Sequence, residues 1–117
     1  MPCVLVVEDD SDTRQAICDL LADAGHTVRA AADGEEAIQQ LTDETVPGII
    51  VVDTWMPRMT GPELLTWIAQ QPRFNHVPVI IASADRRATC HPRAAFTLAK
   101  PFDASELLDA IRTYCSR

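Results

Sequence analysis

Three acidic residues stand directly after apolar stretches of this sequence. Glu8 and Asp9 follow Val4–Val7, and Asp53 closes the run Ile49–Val52. If the fold brings these acids together, they cannot all stay ionised unaided, because like charges raise each other's pKa. A divalent cation relieves that repulsion, and carboxylate oxygens without His or thiolate ligands suit Mg²⁺. The three acids therefore predict a magnesium site.

Two further polar residues follow apolar stretches in the second half of the chain. Ser83 comes after Val79–Ala82, and Lys100, the only lysine, comes after Ala95–Ala99. A hydroxyl and an ammonium group suit a phosphoryl group, as hydrogen-bond donor and counter-ion. An aspartate can itself attack phosphorus and form an acyl phosphate. Asp53 is the first candidate for that chemistry.

The apolar stretches predict the elements that position these residues. The run Ile49–Val52 is typical of a strand buried on both faces of a parallel sheet, and Thr27–Ala31 predicts another, shorter strand. Between the strands, apolar residues recur at helical spacing behind capping residues, namely Asp10 or Ser11, Asp33, Thr60 and Asp103. This alternation predicts an α/β domain whose parallel strands end at one shared edge.

Length and composition exclude several classes of protein. The 117 residues suit one domain, residues 1–117. No apolar run is long enough for a membrane span, and the first residues do not resemble a secretory signal. Four scattered cysteines without a Cys-x-x-Cys pair argue against structural zinc or disulfides and favour a reducing, cytoplasmic location. A net charge of −7 without a basic stripe argues against direct binding of nucleic acid.

The sequence resembles the receiver (CheY-like) domain of two-component response regulators along its entire length. The matching motifs are Val4–Asp10, Val51–Asp53 with Met56-Pro57 and Gly61, Pro78–Ala84, and Lys100–Phe102. Each motif alone is a weak signal, but all four in this order and at near-family spacing are specific.

The resemblance implies a flavodoxin-like, doubly wound sheet of five strands in the order 2-1-3-4-5, with helices on both faces. It implies that Asp53 accepts a phosphoryl group from a sensor histidine kinase or a phosphotransfer protein. Ser83 would hydrogen-bond the phosphoryl oxygens and Lys100 would pair with them. The Lys100–Pro101 peptide bond would be cis.

The same resemblance implies the ligands of the cation. Asp9 and Asp53 would bind Mg²⁺ directly, together with the backbone carbonyl of Trp55. Glu8 would act through a metal-bound water. The domain would catalyse only its own phosphorylation and dephosphorylation, so it would be a signalling domain and not an enzyme acting on a separate substrate.

The implied output is protein–protein contact with an unidentified downstream target. Two alternatives remain open from the sequence: a receiver-like interaction module that works without phosphorylation, and a fragment of a longer regulator or hybrid kinase. A Mg²⁺-dependent phosphohydrolase is disfavoured, because such enzymes often carry a second Asp two residues after the nucleophile, where this chain has Trp55.

Two features depart from the family pattern. Thr97, beside Phe96, stands where receivers usually carry an aromatic residue whose ring turns inward on activation. Thr97 cannot make that movement, which predicts a different or smaller conformational change. The interval from Ser83 to Lys100 is also about one helical turn short and contains His91-Pro92, which predicts a shortened fourth helix and unreliable family-style dimerisation.

Overall fold

The elements alternate as the sequence predicts. The computed structural model describes residues 3–43, 45–54, 56, 58–84 and 91–114. The strands are β1 (Cys3–Val7), β2 (Thr27–Ala31), β3 (Ile49–Asp53), β4 (Val79–Ser83) and β5 (Phe96–Ala99). The α-helices within the described residues are α1 (Ser11–Asp23), α2 (Gly34–Asp43), α3 (Gly61–Ala69) and α4 (Ala104–Tyr114), and a 3₁₀ turn covers Pro72–Phe74.

The five strands form one parallel sheet in the order β2-β1-β3-β4-β5. The chain places β2 on one side of β1 and then crosses to place β3 on the other side. The strand order therefore reverses between β1 and β3, which is the position where open parallel sheets bind ligands. The predicted five-stranded, doubly wound sheet of order 2-1-3-4-5 is confirmed.

Helices cover both faces of the sheet. On one face α2 and α3 bury Leu41 and Leu65 against Leu5 of β1, and on the other face α1 and α4 bury Leu21 and Leu107. β3 contributes side chains to both layers, which explains why its sequence is continuously apolar instead of alternating. Within the described residues, no helix combines the length and the apolar character that crossing a membrane requires.

Capping side chains begin the helices where the sequence predicts. The Asp10 side chain accepts a hydrogen bond from the Thr13 amide at 2.9 Å, so Asp10 rather than Ser11 caps α1. Reciprocal bonds between cap and third residue occur at Thr60–Glu63 and at Asp103–Glu106. Such bonds satisfy amide groups that a helix start would otherwise leave unpaired, and they fix where each loop ends.

The connection between β4 and β5 is described only in part. The sequence predicts a short helix over Ala84–Pro92, between β4 and β5, which is distinct from α4. Residues 85–90 of that stretch lie outside the described residues, so this helix stays a prediction. The part that enters β5 is tied to the segment before β4. The Arg93 guanidinium donates to the carbonyls of Phe74 and Val77 at 2.6 and 2.7 Å.

His91 links the same connection to α3. The Arg93 amide donates to Nδ1 of His91 at 3.0 Å, and Nε2 lies 3.1 Å from Oγ1 of Thr66, which bonds the Pro62 carbonyl. Because Nδ1 accepts, the neutral ring carries its proton on Nε2 and donates to Thr66.

Candidate functional site

The three predicted acids meet at the carboxyl ends of β1 and β3. Val7 pairs with Val52 across the two strands, so the residues that follow lie side by side. One carboxylate oxygen each from Glu8, Asp9 and Asp53 lies within 4.8 Å of the others. Glu8 is buried, Asp53 is partly buried and Asp9 is exposed. The group therefore opens to solvent on the side of Asp9.

Lys100 closes the opposite side of the acidic group. Its Nζ lies 2.6 Å from Oδ1 of Asp53 and 3.5 Å from Oε1 of Glu8. The Lys100 amide donates to the carbonyl of Ser83 at 2.8 Å, and the Lys100–Pro101 bond is cis, as expected. One residue thus connects the ends of β3, β4 and β5.

Ser83 is buried at the end of β4, one residue beyond the partner of Asp53 in the strand register. Thr54, which the sequence patterns did not single out, joins the end of β3 to β4. Its amide and its hydroxyl both donate to the Ala82 carbonyl, at 3.0 and 2.8 Å. The sequence shows a hydroxyl residue directly after the strand-ending acid, but neither its burial nor its bond to Ala82.

The electrostatics show a surplus of negative charge. Burial and the charge of Asp53 raise the pKa of Glu8, although the Asp10 amide and Lys100 act in the opposite direction. Burial disfavours the Lys100 ammonium, but its hydrogen bond to Asp53 and the charges of Asp53 and Glu8 outweigh this and raise its pKa. Lys100 is therefore firmly cationic, and one cation faces three carboxylates.

The ligand chemistry fits a hard divalent cation. The acidic group offers only carboxylate oxygens, with no thiolate or imidazole among its members. Such a set suits Mg²⁺ better than zinc or copper. The Trp55 carbonyl, expected as a further ligand, lies outside the described residues, so its role stays a prediction.

The loop after Asp53 is held by close packing at its end. A Cβ on Gly61 would lie 2.6 Å from the carbonyl oxygen of Asp53, so only glycine fits there. The Gly61 amide also donates to the Thr54 carbonyl at 2.8 Å. The first residue of α3 therefore rests directly on the backbone of Asp53.

The middle of that loop is attached to α2. Arg58 adopts a left-handed backbone with φ of 69° and places its guanidinium 3.1 Å from Glu35 and 3.7 Å from Asp33. The Met59 side chain covers Gly34, where a Cβ would lie 2.7 Å from the sulfur. These contacts join the loop to the start of α2.

The comparisons with known proteins agree with this geometry. The sequence profile described as response regulator receiver domain matches residues 4–112. The chain is 36% identical over 88 residues to the two-component response regulator ORR5 of Oryza sativa, which covers 75% of this chain and 66% of that protein. It is 38% identical to the transcriptional regulatory protein PrrA of Mycobacterium leprae, covering 99% of this chain and only 51% of PrrA.

A solved structure shows the same architecture. The signal receiver domain of a signal transduction histidine kinase from Syntrophus aciditrophicus superposes with a TM-score of 0.90 at 27% identity, covering 99% of this chain and 91% of that one. The motif order, the strand order, the acidic group with Lys100 and the profile match lead to one conclusion. The chain belongs to the response regulator receiver domain family of two-component systems.

Proposed function

We propose that this receiver domain accepts a phosphoryl group on Asp53 from a sensor histidine kinase or a phosphotransfer protein. One observation carries the proposal: the Lys100 ammonium lies 2.6 Å from Asp53 within a group of three carboxylates whose oxygens lie within 4.8 Å of one another. A half-buried cation beside a half-buried carboxylate suits a group that gains negative charge during the reaction.

Glu8, Asp9 and Asp53 would hold Mg²⁺, and the resemblance adds the carbonyl of Trp55. When bound, the ion would neutralise the carboxylates and offset the charge on the phosphoryl oxygens. Glu8 and Asp9 are supplied by one turn and Asp53 by the neighbouring strand. The sheet therefore presents the ligands without a dedicated metal-binding loop.

The chain's own residues divide the chemistry among them. A carboxylate oxygen of Asp53 forms a bond to phosphorus while the bond from phosphorus to the donor histidine nitrogen breaks and leaves its electron pair on that nitrogen. Lys100 pairs with the transferred phosphoryl group, and the Ser83 hydroxyl donates a hydrogen bond to one of its oxygens. Both residues stabilise charge and neither exchanges a proton with the substrate.

The phosphorylated domain would signal by protein–protein contact in the cytoplasm, without binding nucleic acid itself. Receiver domains occur in different settings among the relatives: within PrrA, named a transcriptional regulatory protein, and within a histidine kinase. The chain spans about half the length of PrrA. Its downstream target would therefore be another domain or another protein, and its contact surface would carry the specificity.

Phosphotransfer to the native chain tests the proposal. We expect a histidine-kinase or small-molecule phosphodonor to add one phosphoryl group in the presence of Mg²⁺, detected by intact-mass spectrometry, and to add none in EDTA or to Asp53→Asn. Asp19→Asn is the matched control, because Asp19 is exposed on α1 and contacts only Gln15 among the hydrogen bonds of the described residues. Unchanged phosphorylation of Asp53→Asn would refute the assignment.

A further inference from the structure

One arginine is bonded to three successive carbonyls of the turn that carries the acids. The Arg14 amide donates to the Asp10 carbonyl at 2.8 Å, as the first bond of α1. Its guanidinium Nη1 donates to the Glu8 carbonyl at 2.8 Å and reaches the Asp9 carbonyl at 3.5 Å. The guanidinium therefore contacts the backbone of both acids that precede the helix.

The position of Arg14 is electrostatically unfavourable for a helix. Arg14 is near the start of α1, where the exposed amides carry partial positive charge and acidic residues are favoured. A cation there repels the amide dipoles unless other contacts outweigh the repulsion. The two carbonyl bonds supply such contacts. The sequence shows the unfavourable placement of Arg14 but not the carbonyls that it bonds.

The Glu8 side chain is fixed as well as its carbonyl. The Asp10 amide donates to Oε2 of Glu8 at 3.2 Å. Arg14 holds the Glu8 carbonyl. With both its carbonyl and its carboxylate bonded, Glu8 has little freedom to turn, and the direction of the Asp9 side chain follows from the same backbone.

We propose that Arg14 is a positioning residue for the divalent cation, because it fixes the backbone from which the Glu8 and Asp9 carboxylates project. This inference rests on the proposed Mg²⁺ site. For the loss of Arg14, it predicts a change in Mg²⁺ affinity opposite in sign to the change expected from the lost charge alone. Removing a cation near a cation site should strengthen Mg²⁺ binding by Coulomb's law, whereas loss of positioning should weaken it.

The test compares Arg14→Met with Arg112→Met by calorimetric titration of Mg²⁺ into the whole chain. Both variants lose one positive charge, and Arg112 is 76% exposed on α4. We expect Arg14→Met to bind Mg²⁺ about tenfold more weakly than Arg112→Met, as is typical when a residue that orients metal ligands is lost. We also expect saturating Mg²⁺ to restore the maximal phosphorylation rate of Arg14→Met. Binding by Arg14→Met as tight as, or tighter than, that of Arg112→Met overturns the inference.

A second comparison separates this inference from the function it rests on. Asp9→Asn should abolish the Mg²⁺ binding of the native chain. If it does not, the proposed metal site falls, and the inference about Arg14 falls with it. If Asp9→Asn abolishes binding and Arg14→Met leaves it unchanged, only the role of Arg14 is refuted. Should Arg14→Met melt too low for titration, Arg14→Gln replaces it with the same two outcomes.

Discussion

Asp9 is the least compensated of the three site carboxylates. Lys100 contacts Asp53 and Glu8, whereas among the described residues Asp9 has no ion pair. Its charge therefore repels the other two acids whenever no cation is bound. Residues kept for binding or catalysis commonly lower stability in this way.

Asp9→Asn should consequently stabilise the metal-free domain. We expect its free energy of unfolding in EDTA to rise by about 0.5–1 kcal/mol, because one like-charge repulsion is removed at a solvent-exposed position. We also expect Mg²⁺ to raise the melting temperature of the native chain and not that of the variant. Chemical denaturation with and without Mg²⁺ measures both effects.

Asp19→Asn controls for the change in net charge, because Asp19 is exposed on α1 and away from the site. It should keep the Mg²⁺-dependent stabilisation of the native chain. A metal-free Asp9→Asn that is less stable than the native chain would show that repulsion does not dominate at this position.

The residues that the sequence identified and those that it missed differ for a physical reason. Asp53 ends β3 and Lys100 directly follows β5, so the strand order brings both to one edge of the sheet, and their proximity was predictable. Arg14 and Thr54 act through backbone carbonyls, whose directions depend on turn geometry that a side-chain pattern does not encode. The site's charged side chains were therefore predictable, but the bonds that orient its backbone were not.

The connection into β5 is held by two hydrogen bonds of the His91 ring, which form a relay from the Arg93 amide through His91 to Thr66. In the neutral form, His91 accepts from the Arg93 amide and donates to Thr66 of α3. Burial and the positive charge of Arg93 lower the pKa of His91 below its ordinary value of 6.5. Protonation would place a second donor opposite the Arg93 amide and break the relay.

The contribution of His91 to stability should therefore fall in mildly acidic solution. Between the lowered folded pKa and the unfolded value of 6.5, the unfolded chain binds more protons than the folded chain. The contribution of His91 is complete above the unfolded value and is lost as the pH falls through the folded one. Urea unfolding at about pH 7.5 and about pH 5.5 should show a smaller pH-dependent loss for His91→Asn than for the native chain.

His76→Asn is the matched control, since His76 is exposed in the turn before β4. It should retain the full pH dependence of the native chain. Equal pH dependence in His91→Asn and the native chain would show that the relay survives protonation.

The geometry of β5 explains why Phe96 cannot substitute for the aromatic residue that the family usually carries at the position of Thr97. Phe96 is 37% exposed and its ring lies 5.6 Å from that of Tyr114 on α4. Successive strand residues point to opposite faces, so Thr97 faces away from α4, toward the side of α3. The ring of Phe96 is on the wrong face to take the position that Thr97 occupies.

For the molecule as a whole, the topology was predictable and one connection was not. Continuous apolar runs such as Ile49–Val52 identified the strands, and the capping residues identified the helix starts. β5 begins at Phe96, one residue later than expected, although the Ala95 amide already bonds the carbonyl of Val79, the first residue of β4, at 2.8 Å. The contacts of His91 and Arg93 could not be predicted, since they join parts of the chain whose separation in space depends on the completed fold.

The whole domain should change little on activation. Because Thr97 has no ring to turn inward, we expect an acyl-phosphate analogue to produce large backbone chemical-shift changes at the site and small ones through the segment from Ala84 to Ala99. Thr97→Phe should enlarge the changes in this segment, because it places a ring on the face toward α3. Two-dimensional amide NMR with and without the analogue measures these shifts.

Phe96→Thr provides the control for that experiment, because it alters the exposed face of β5 without adding a ring on the other side. It should respond to the analogue as the native chain does. Large shifts through the segment in the native chain would contradict the prediction.

The close approach of Gly61 to the Asp53 carbonyl limits how the chain can be re-engineered or can diverge. Position 61 must keep glycine, because any side chain there would meet the Asp53 carbonyl and push α3 off the backbone on which it rests. A sensor built from this domain should receive its reporter at an exposed turn elsewhere, such as the one at Gly25, where added atoms meet open space.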